Sequence, residues 1–283
     1  MTTVNEKASM REQYGKVLAD IGKDNESIVV IGGDLNKSTF THIFASKFPD
    51  RFFDFGPAEQ NMMGVAAGLA SSGNIPFVST FSVFGTCRPL DQIRVSIAQP
   101  GLNVKIVCTH AGILTGEDGM SAHGIEDLAI MCSLPGFTVM APADAAETEM
   151  AIRTAAATNG PFYIRLSRPA TPIVHKTDCK LEIGKGEILR EGNDATIIAT
   201  GVGVSWALEA ADSLYVQGVS TRVINMHTLK PTDENIIIEA AKETGAIITV
   251  EEHYLHGGLG SIVAQCICEN FPVPVEMVGL KGY

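Results

Sequence analysis

The chain has 283 residues, which is more than one compact domain usually contains, so two units are expected. Hydrophobic residues make up 45% and charged residues 19%, a balance typical of a folded globular protein. The formal net charge of -11 leaves no basic face, which argues against nucleic acid or an anionic membrane as a partner.

The N-terminal residues contain no apolar core of signal-peptide length, and no stretch is apolar for long enough to span a bilayer. We therefore expect a cytoplasmic protein. The six cysteines have no zinc-knuckle or disulfide-framework spacing and are predicted to be reduced packing residues. No metal site is predicted, because Cys266 and Cys268 are expected on a helix and the pair His253 and His256 has no third ligand nearby in sequence.

The first part of the chain alternates strand-like apolar runs with helical stretches. In chain order these are SIVVIGG, HIFASKF, MGVAAGLASSG, PFVSTF, PLDQIRVSIA, VKIVCTH, FTVMAPA, AAETEMAIRTAAAT and PFYIRLS. Such alternation is typical of a parallel sheet that is covered by helices on both faces.

Residues 171–190 lose helical periodicity and gather prolines and charges, which predicts a linker. A smaller alternating unit follows, with ATIIATG, SWALEAADSLYVQG, STRVINM, DENIIIEAAKETG, AIITVEE and LGSIVAQCICENF. The predicted fold class is therefore α/β, with two doubly wound domains over residues 1–170 and 191–283 and mostly parallel sheets.

Two segments place chemically useful side chains at element ends. Glu59 stands just ahead of a predicted helix, where a lone acid can serve simply as a helix cap. Phe81 and Phe84 follow a strand end and could be either core residues or a platform for a flat ring.

His110 ends the segment VKIVCTH, and the glycine-rich loop that follows carries Asp118 and His123, at a strand end where ligands of parallel sheets gather. Loop histidines are also often solvated bystanders. Arg165 and Arg168 end another strand, and a guanidinium suits phosphate or sulfonate oxygens, although a salt bridge is an equally ordinary use of an arginine.

Five segments together resemble consecutive parts of transketolase, from its pyrimidine-binding domain into its C-terminal domain. They are FGPAEQNMMG, TFSVF, RPLDQIRVSIAQPGLNVKIVCTHAGILTGEDG, RLSRPATP and VEEHYLHGGLGS. The family's GDG motif with its Asn-bearing loop, which holds magnesium and diphosphate, has no counterpart here. The resemblance therefore implies an N-terminal-section subunit as a separate partner chain.

The resemblance implies thiamine diphosphate as cofactor, with Mg²⁺ or Ca²⁺ held by the partner chain. Glu59 would be catalytic and would bind the cofactor, by a hydrogen bond to its pyrimidine ring. Phe81 and Phe84 would pack around that ring, with Asp34 and Cys87 also near the cofactor. The reaction would move a two-carbon ketol unit from a ketose to an aldose.

The resemblance also implies an anion-binding cluster for the substrate, made of Arg11, Ser38, His110 and Arg168. His110 would in addition be catalytic, and Asp118 would bind a sugar hydroxyl. Transketolases commonly carry a histidine four residues after that aspartate, where this chain has Ala122, with His123 one place later. The donor is thus left open between a ketose phosphate and another anionic ketose, such as a sulfonated sugar.

Two other functions remain open. A beta subunit of a 2-oxoacid dehydrogenase, or an enzyme like deoxyxylulose-phosphate synthase, would share the chemistry of Glu59 but use a different acceptor. An inactive homologue that only holds a partner is the other alternative. The family expectation for assembly is a heterotetramer, a dimer of heterodimers. The chain stops at LKGY, where the family normally continues, so a truncated or smaller C-terminal domain is expected.

Overall fold

A computed structural model describes residues 6–175 and 181–282. Helices cover two mostly parallel sheets, which confirms the predicted α/β class. Part of the predicted linker, residues 176–180, lies outside the described residues. Among the residues that are described, no helix combines the length and the apolar character needed to cross a membrane.

The first part of the chain forms most of a seven-stranded sheet. The strands of this part of the chain are β1 (Lys7–Ala8), β2 (Ile28–Gly32), β3 (Phe52–Asp54), β4 (Ile75–Phe81), β5 (Lys105–Thr109), β6 (Thr138–Met140), β7 (Phe162–Arg165) and β8 (Thr171–Pro172). Strands β1 and β8 form a separate two-stranded sheet. The α-helices of this part are α1 (Met10–Asp24), α2 (His42–Lys47), α3 (Glu59–Ser71), α4 (Ser82–Cys87), α5 (Leu90–Gln92), α6 (Asp127–Ser133) and α7 (Ala145–Ala157). A π-helical stretch, Ile93–Ala98, continues α5.

The second part contains strands β9 (Glu187–Arg190), β10 (Ala195–Ala199), β11 (Thr221–Asn225), β12 (Thr228–Lys230), β13 (Ile247–Tyr254) and β14 (Val275–Leu280). Its helices are α8 (Gly203–Val216), α9 (Glu234–Thr244) and α10 (Leu259–Asn270). The five-stranded sheet has the order β14-β13-β10-β11-β9, and only β9 runs antiparallel to its neighbour.

Burial follows the sequence pattern. Every residue of β2, β5 and β11 is buried, as expected for strands with both faces covered. Side chains cap the longer helices where the sequence offers them: Ser9 accepts from the backbone of Glu12 at the start of α1, and Asp144 accepts from Glu147 at the start of α7. Cys266 and Cys268 lie on α10, as predicted.

The two parts of the chain interlock. Strand β12 leaves the second part and pairs antiparallel with β6, which completes the seven-stranded order β12-β6-β7-β5-β4-β2-β3. Lys230 on β12 donates from Nζ to the carbonyls of Cys132 and Leu134 at 2.8 and 2.5 Å. Strand β8 lies in the predicted linker and pairs with β1, and β9 belongs to the smaller sheet. The boundaries at 170 and 190 stay a prediction.

Arg165 forms a buried salt bridge and lies inside the protein. Its guanidinium is buried, pairs with Asp127 at 3.0 Å and donates to the carbonyl of Glu252 at 2.7 Å. Asp127 also accepts from the hydroxyl of Tyr163 at 2.6 Å. Because Glu252 belongs to the smaller sheet, the hydrogen bond from Arg165 to its carbonyl joins the two parts of the chain.

Parallel pairing places the carboxyl ends of β2, β4, β5 and β7 along one edge of the larger sheet. Asp34, Phe81, His110 and Arg168 follow or end these four strands. The predicted site residues therefore meet at one edge, which is where parallel sheets bind ligands.

Candidate active site

Glu59 is the first residue of α3 and is only 3% exposed. Its Oε1 accepts a hydrogen bond from Nη1 of Arg88 at 2.8 Å, and the Arg88 guanidinium lies over the ring of Phe84 at 4.0 Å. The Glu59 carboxyl group therefore lies at the N-terminal end of a helix and beside a guanidinium group. Arg88 was missed in the sequence because this contact joins residues 29 positions apart.

A cavity of about 500 Å³ borders Glu59, lined by Pro57, Ala58, Glu59, Gln60, Asn61 and Arg88. Half of the Arg88 side chain is exposed. A largely buried carboxylate is thus reached from an open cavity that, within the described part of the chain, is lined by residues 57–61 and Arg88. The buried Glu59 carboxyl group can hydrogen-bond a planar nitrogen heterocycle, and the flat groups of Arg88 and Phe84 can pack against it.

Three rings stack beside this cavity. Phe81 ends β4 and lies nearly parallel to Phe84 on α4, with ring centroids 5.7 Å apart. Phe81 also stacks on His110 at 3.6 Å. Phe81 is buried, whereas Phe84 is half-buried and carries Arg88 on its ring. Phe84 is therefore the more accessible of the two predicted aromatic contacts.

His110 is buried and has a positive φ of 57°, an uncommon conformation for a residue other than glycine. Burial, together with the charges of Arg11 and Arg168, lowers the pKa of His110 to about 3. Its Nδ1 lies 2.9 Å from the hydroxyl of Thr109, and its Nε2 lies 3.8 Å from Asp118. His110 is therefore neutral near pH 7 and can offer an N–H, but no positive charge, to an anion.

The residues predicted to bind the substrate anion are brought together. Arg11 donates from Nε to the carbonyl of Arg168 at 2.8 Å and from Nη1 to the carbonyl of Ser38 at 2.7 Å. Arg168 pairs with Glu117 at 2.8 Å and with Asp118 at 3.3 Å. Burial and the charge of Arg168 lower the pKa of Arg11. Two guanidinium groups, one of them paired with Glu117 and Asp118, thus lie beside a neutral imidazole and form a corner whose N–H donors could bind an anion.

His123 contacts its own loop. Its Nε2 lies 3.1 Å from the carbonyl of Gly116, within the loop that carries Asp118, and Ala122 is buried. The His123 side chain thus stabilises its own loop through this hydrogen bond.

Asp34 is exposed and has a positive φ of 61°. Its backbone N–H donates to Asp54 at 2.9 Å, and Asp54 also accepts from the backbone of Gly56 at 3.0 Å and from the side chain of Asn36. Burial raises the pKa of Asp54, but these hydrogen bonds outweigh it and lower the pKa. Asp54, which was not predicted, therefore ties the loop of Asp34 to the turn that leads into Glu59.

Cys87 is exposed at the end of α4, and its Sγ lies 3.8 Å from Glu126. Burial of the sulfur raises the pKa of its thiol. The neutral thiol is therefore the expected form near pH 7, which suits a packing contact better than a nucleophile.

Comparison with known proteins agrees with this arrangement. The family model for the transketolase pyrimidine binding domain matches residues 6–173, and that for the transketolase C-terminal domain matches residues 184–282. The two domains define a part of a thiamine-diphosphate enzyme, the part that contacts the pyrimidine ring. The chain belongs to the transketolase family, and the resemblance seen in the sequence is confirmed.

Individual relatives cover most of the chain. A Methanocaldococcus jannaschii protein described as "Putative transketolase C-terminal section" is 48% identical over 263 residues, covering 92% of this chain and 82% of the relative. A 6-deoxy-6-sulfo-D-fructose transketolase subunit from Clostridium sp. (strain MSTE9) is 42% identical, covering 96% of this chain and 84% of the relative. A solved structure described as a split gene transketolase, inactive beta4 tetramer, has a TM-score of 0.91 and 49% identity, covering 98% and 91% of the two chains.

Proposed function

We propose that this chain is one subunit of a two-chain transketolase, active only when an N-terminal-section subunit completes the site. It transfers a two-carbon ketol unit from a ketose phosphate, or from another anionic ketose such as a sulfonated sugar, to an aldose phosphate. Thiamine diphosphate supplies the carbon-bond chemistry, and the partner chain holds its Mg²⁺ or Ca²⁺. The observation that carries the proposal is the buried Glu59 carboxylate at the wall of an open cavity.

Glu59 is the proton-handling group of this chain. Arg88 binds only Oε1, so the second carboxylate oxygen is left for a ring nitrogen of the pyrimidine. Since a carboxylate oxygen and an unprotonated ring nitrogen are both acceptors, one proton would have to lie between them, and Glu59 would share it with that nitrogen. Phe84 presents a ring face beside it, with Phe81 behind. Cys87 and Asp34 lie at the edges of the same site.

The corner formed by Arg11, Arg168 and His110 receives the anionic end of the substrate. Arg168 would exchange its contact with Glu117, which is 82% exposed, for the phosphate or sulfonate oxygens at little cost. His110 donates its N–H as a neutral group, and Asp118 accepts from a sugar hydroxyl. The relative described as a sulfofructose transketolase subunit supports including sulfonated donors.

The assembly we propose is a dimer of heterodimers in the cytoplasm, with residues 1–170 as the pyrimidine-binding domain and 191–283 as the C-terminal domain. The open cavity beside Glu59 supports a shared site. The inactivity ascribed to the related beta4 tetramer is consistent with a need for a second kind of subunit.

The test is reconstitution. The purified chain is mixed with an N-terminal-section subunit, thiamine diphosphate and Mg²⁺, and ketol transfer is measured with ketose phosphates and with sulfonated ketoses. We expect activity from the mixture and none from either chain alone. Turnover by this chain alone would refute the two-chain proposal. Activity with pyruvate and lipoamide, and none with ketoses, would favour the dehydrogenase alternative.

A further inference from the structure

A second polar cluster lies away from the candidate active site, where the two parts of the chain meet. It combines the N-cap residue of α7, one residue of that helix, a residue shortly after β8, and one end residue from each of two strands of the smaller sheet. Its members are Asp144, Glu147, His175, Glu187 and Asn225. Four of them are buried, and only Glu187 has a partly exposed side chain, at 45%.

Asp144 fixes the orientation of the His175 ring. Its Oδ2 accepts from Nδ1 of the imidazole at 3.0 Å and from the backbone N–H groups of Val174 and His175 at 2.7 and 2.8 Å. Asp144 thereby holds a proton on Nδ1, and Nε2 points away from Asp144 towards the other members of the cluster. A carboxylate behind the far ring nitrogen is the arrangement that orients metal-binding histidines in proteins.

His175 Nε2 faces two carboxylates that come from different parts of the chain. It lies 3.2 Å from Oε2 of Glu187 and 3.9 Å from Oε1 of Glu147. The three potential ligand atoms all lie within 4.8 Å of one another. Tetrahedral zinc bonds of about 2.0–2.2 Å place ligand atoms about 3.4 Å apart, so the ligand atoms farthest from each other must move closer, and the partly exposed Glu187 side chain can approach.

Asn225 gives an independent indication of a ligand. It is fully buried, and its Nδ2 lies 2.7 Å from Glu147 and 3.3 Å from Nε2 of His175. Its Oδ1 has no hydrogen-bond partner among the described residues. A half-turn of the amide would bring that oxygen to the two candidate ligands, where a bound cation would satisfy it.

The cluster is also accessible. Glu187 lines a cavity of about 480 Å³, together with Glu182 and His227, and this gives a cation a path to the buried ligands. Burial and the charge of His175 lower the pKa of His227 to about 4, so it adds no positive charge near pH 7. Imidazole with carboxylate oxygens suits a divalent first-row metal, and two carboxylates balance its charge.

We propose that Glu147, His175 and Glu187, with the amide oxygen of Asn225, bind a zinc ion that links the two sheets. None of these residues belongs to the candidate active site. The spacing of the ligands in sequence, 147, 175 and 187, explains why no motif indicated them.

A proton competes with zinc for His175. Burial alone lowers the pKa of this imidazole, but the hydrogen bond to Asp144 and the charges of Glu147, Asp144 and Glu187 outweigh it and raise the pKa to about 9. Zinc must therefore displace the Nε2 proton into solvent.

The experiment compares the full chain, freed of any affinity tag and treated with chelator, with Glu187→Gln and with Glu276→Gln. Glu276→Gln is the matched control, because it makes the same chemical change at an exposed residue of β14, far from the cluster. Zinc affinity is measured against a competing chromophoric chelator, with Mg²⁺ as a control cation. We expect the wild-type chain to bind one zinc ion, which Mg²⁺ does not displace. Glu187→Gln should bind zinc at least tenfold more weakly, and Glu276→Gln should bind it with normal affinity.

Crystals soaked in Zn²⁺ give a second readout. An anomalous peak within about 2.0–2.2 Å of the Glu147, His175 and Glu187 ligand atoms would support the proposal. Failure of the wild-type chain to bind zinc, equal affinity in Glu187→Gln, or a peak only at cysteines or other histidines would overturn it.

Discussion

Replacing Glu59 with glutamine tests the proposed proton-handling role with little disturbance to the fold. The carboxylate interacts with the N-terminus of α3, which is worth about 0.3–1 kcal/mol. Its ion pair with the half-exposed Arg88 adds about 0.2–1 kcal/mol. The glutamine oxygen still accepts from Arg88, so we expect the free energy of unfolding to fall by about 1 kcal/mol.

Activity should respond far more strongly. A glutamine cannot exchange a proton with a ring nitrogen, and loss of a positioned acid or base typically costs about 10²–10⁴ in rate. Urea unfolding of the chain and ketol transfer by the mixed complex are measured side by side, with Glu209→Gln on the surface of α8 as the matched control. Glu59→Gln with near-normal turnover would refute the role. So would a loss of activity fully explained by unfolding or failed assembly.

Three further predictions concern the candidate active site. Arg88→Met keeps an apolar contact with Phe84 but removes the ion pair with Glu59, so turnover should fall about tenfold and should recover in part in Arg88→Lys. Unchanged turnover in Arg88→Met would show that Arg88 does not position Glu59. Arg168→Ala should lower kcat/KM about 10- to 100-fold for anionic acceptors but little for an uncharged short aldose; equal losses on both would contradict anion binding. Because the pKa of His110 is lowered to about 3 in the folded chain, its contribution to stability is complete above the unfolded value of about 6.5 and is lost as pH falls. Between pH 6.5 and 5 the wild-type chain should lose up to about 2 kcal/mol more than His110→Gln in urea unfolding, and parallel curves would contradict a buried neutral imidazole.

The fold class followed from sequence because the long elements carry strong local patterns. Helix α1 has an N-cap serine and an amphipathic repeat, and strands such as β2 are uninterrupted apolar runs. Strand β12 has only three residues, and its identity depends on pairing with β6 about 90 residues earlier. No local pattern encodes such a contact, so the interlocking of the two parts could not be predicted.

The sequence predicted residues that the structure brings close together, but it did not predict the contacts between them. Motif order identified Glu59 and Arg168 through the family resemblance, and parallel strand ends explain why such residues converge. The partner of Glu59, Arg88, and the loop anchor Asp54 depend on side-chain directions that sequence spacing does not specify. The contact of His123 could not be predicted for the same reason, since the conformation of the loop determines that its ring lies against the carbonyl of Gly116.

The most direct test of the central claim is a crystal structure of the two-chain complex loaded with thiamine diphosphate. The measured quantity is the distance from the free carboxylate oxygen of Glu59 to the nearest pyrimidine nitrogen. We predict a hydrogen bond of about 2.6–3.2 Å in a site walled by both chains. A carboxylate that faces solvent, or a cofactor held wholly within one chain, would contradict the account.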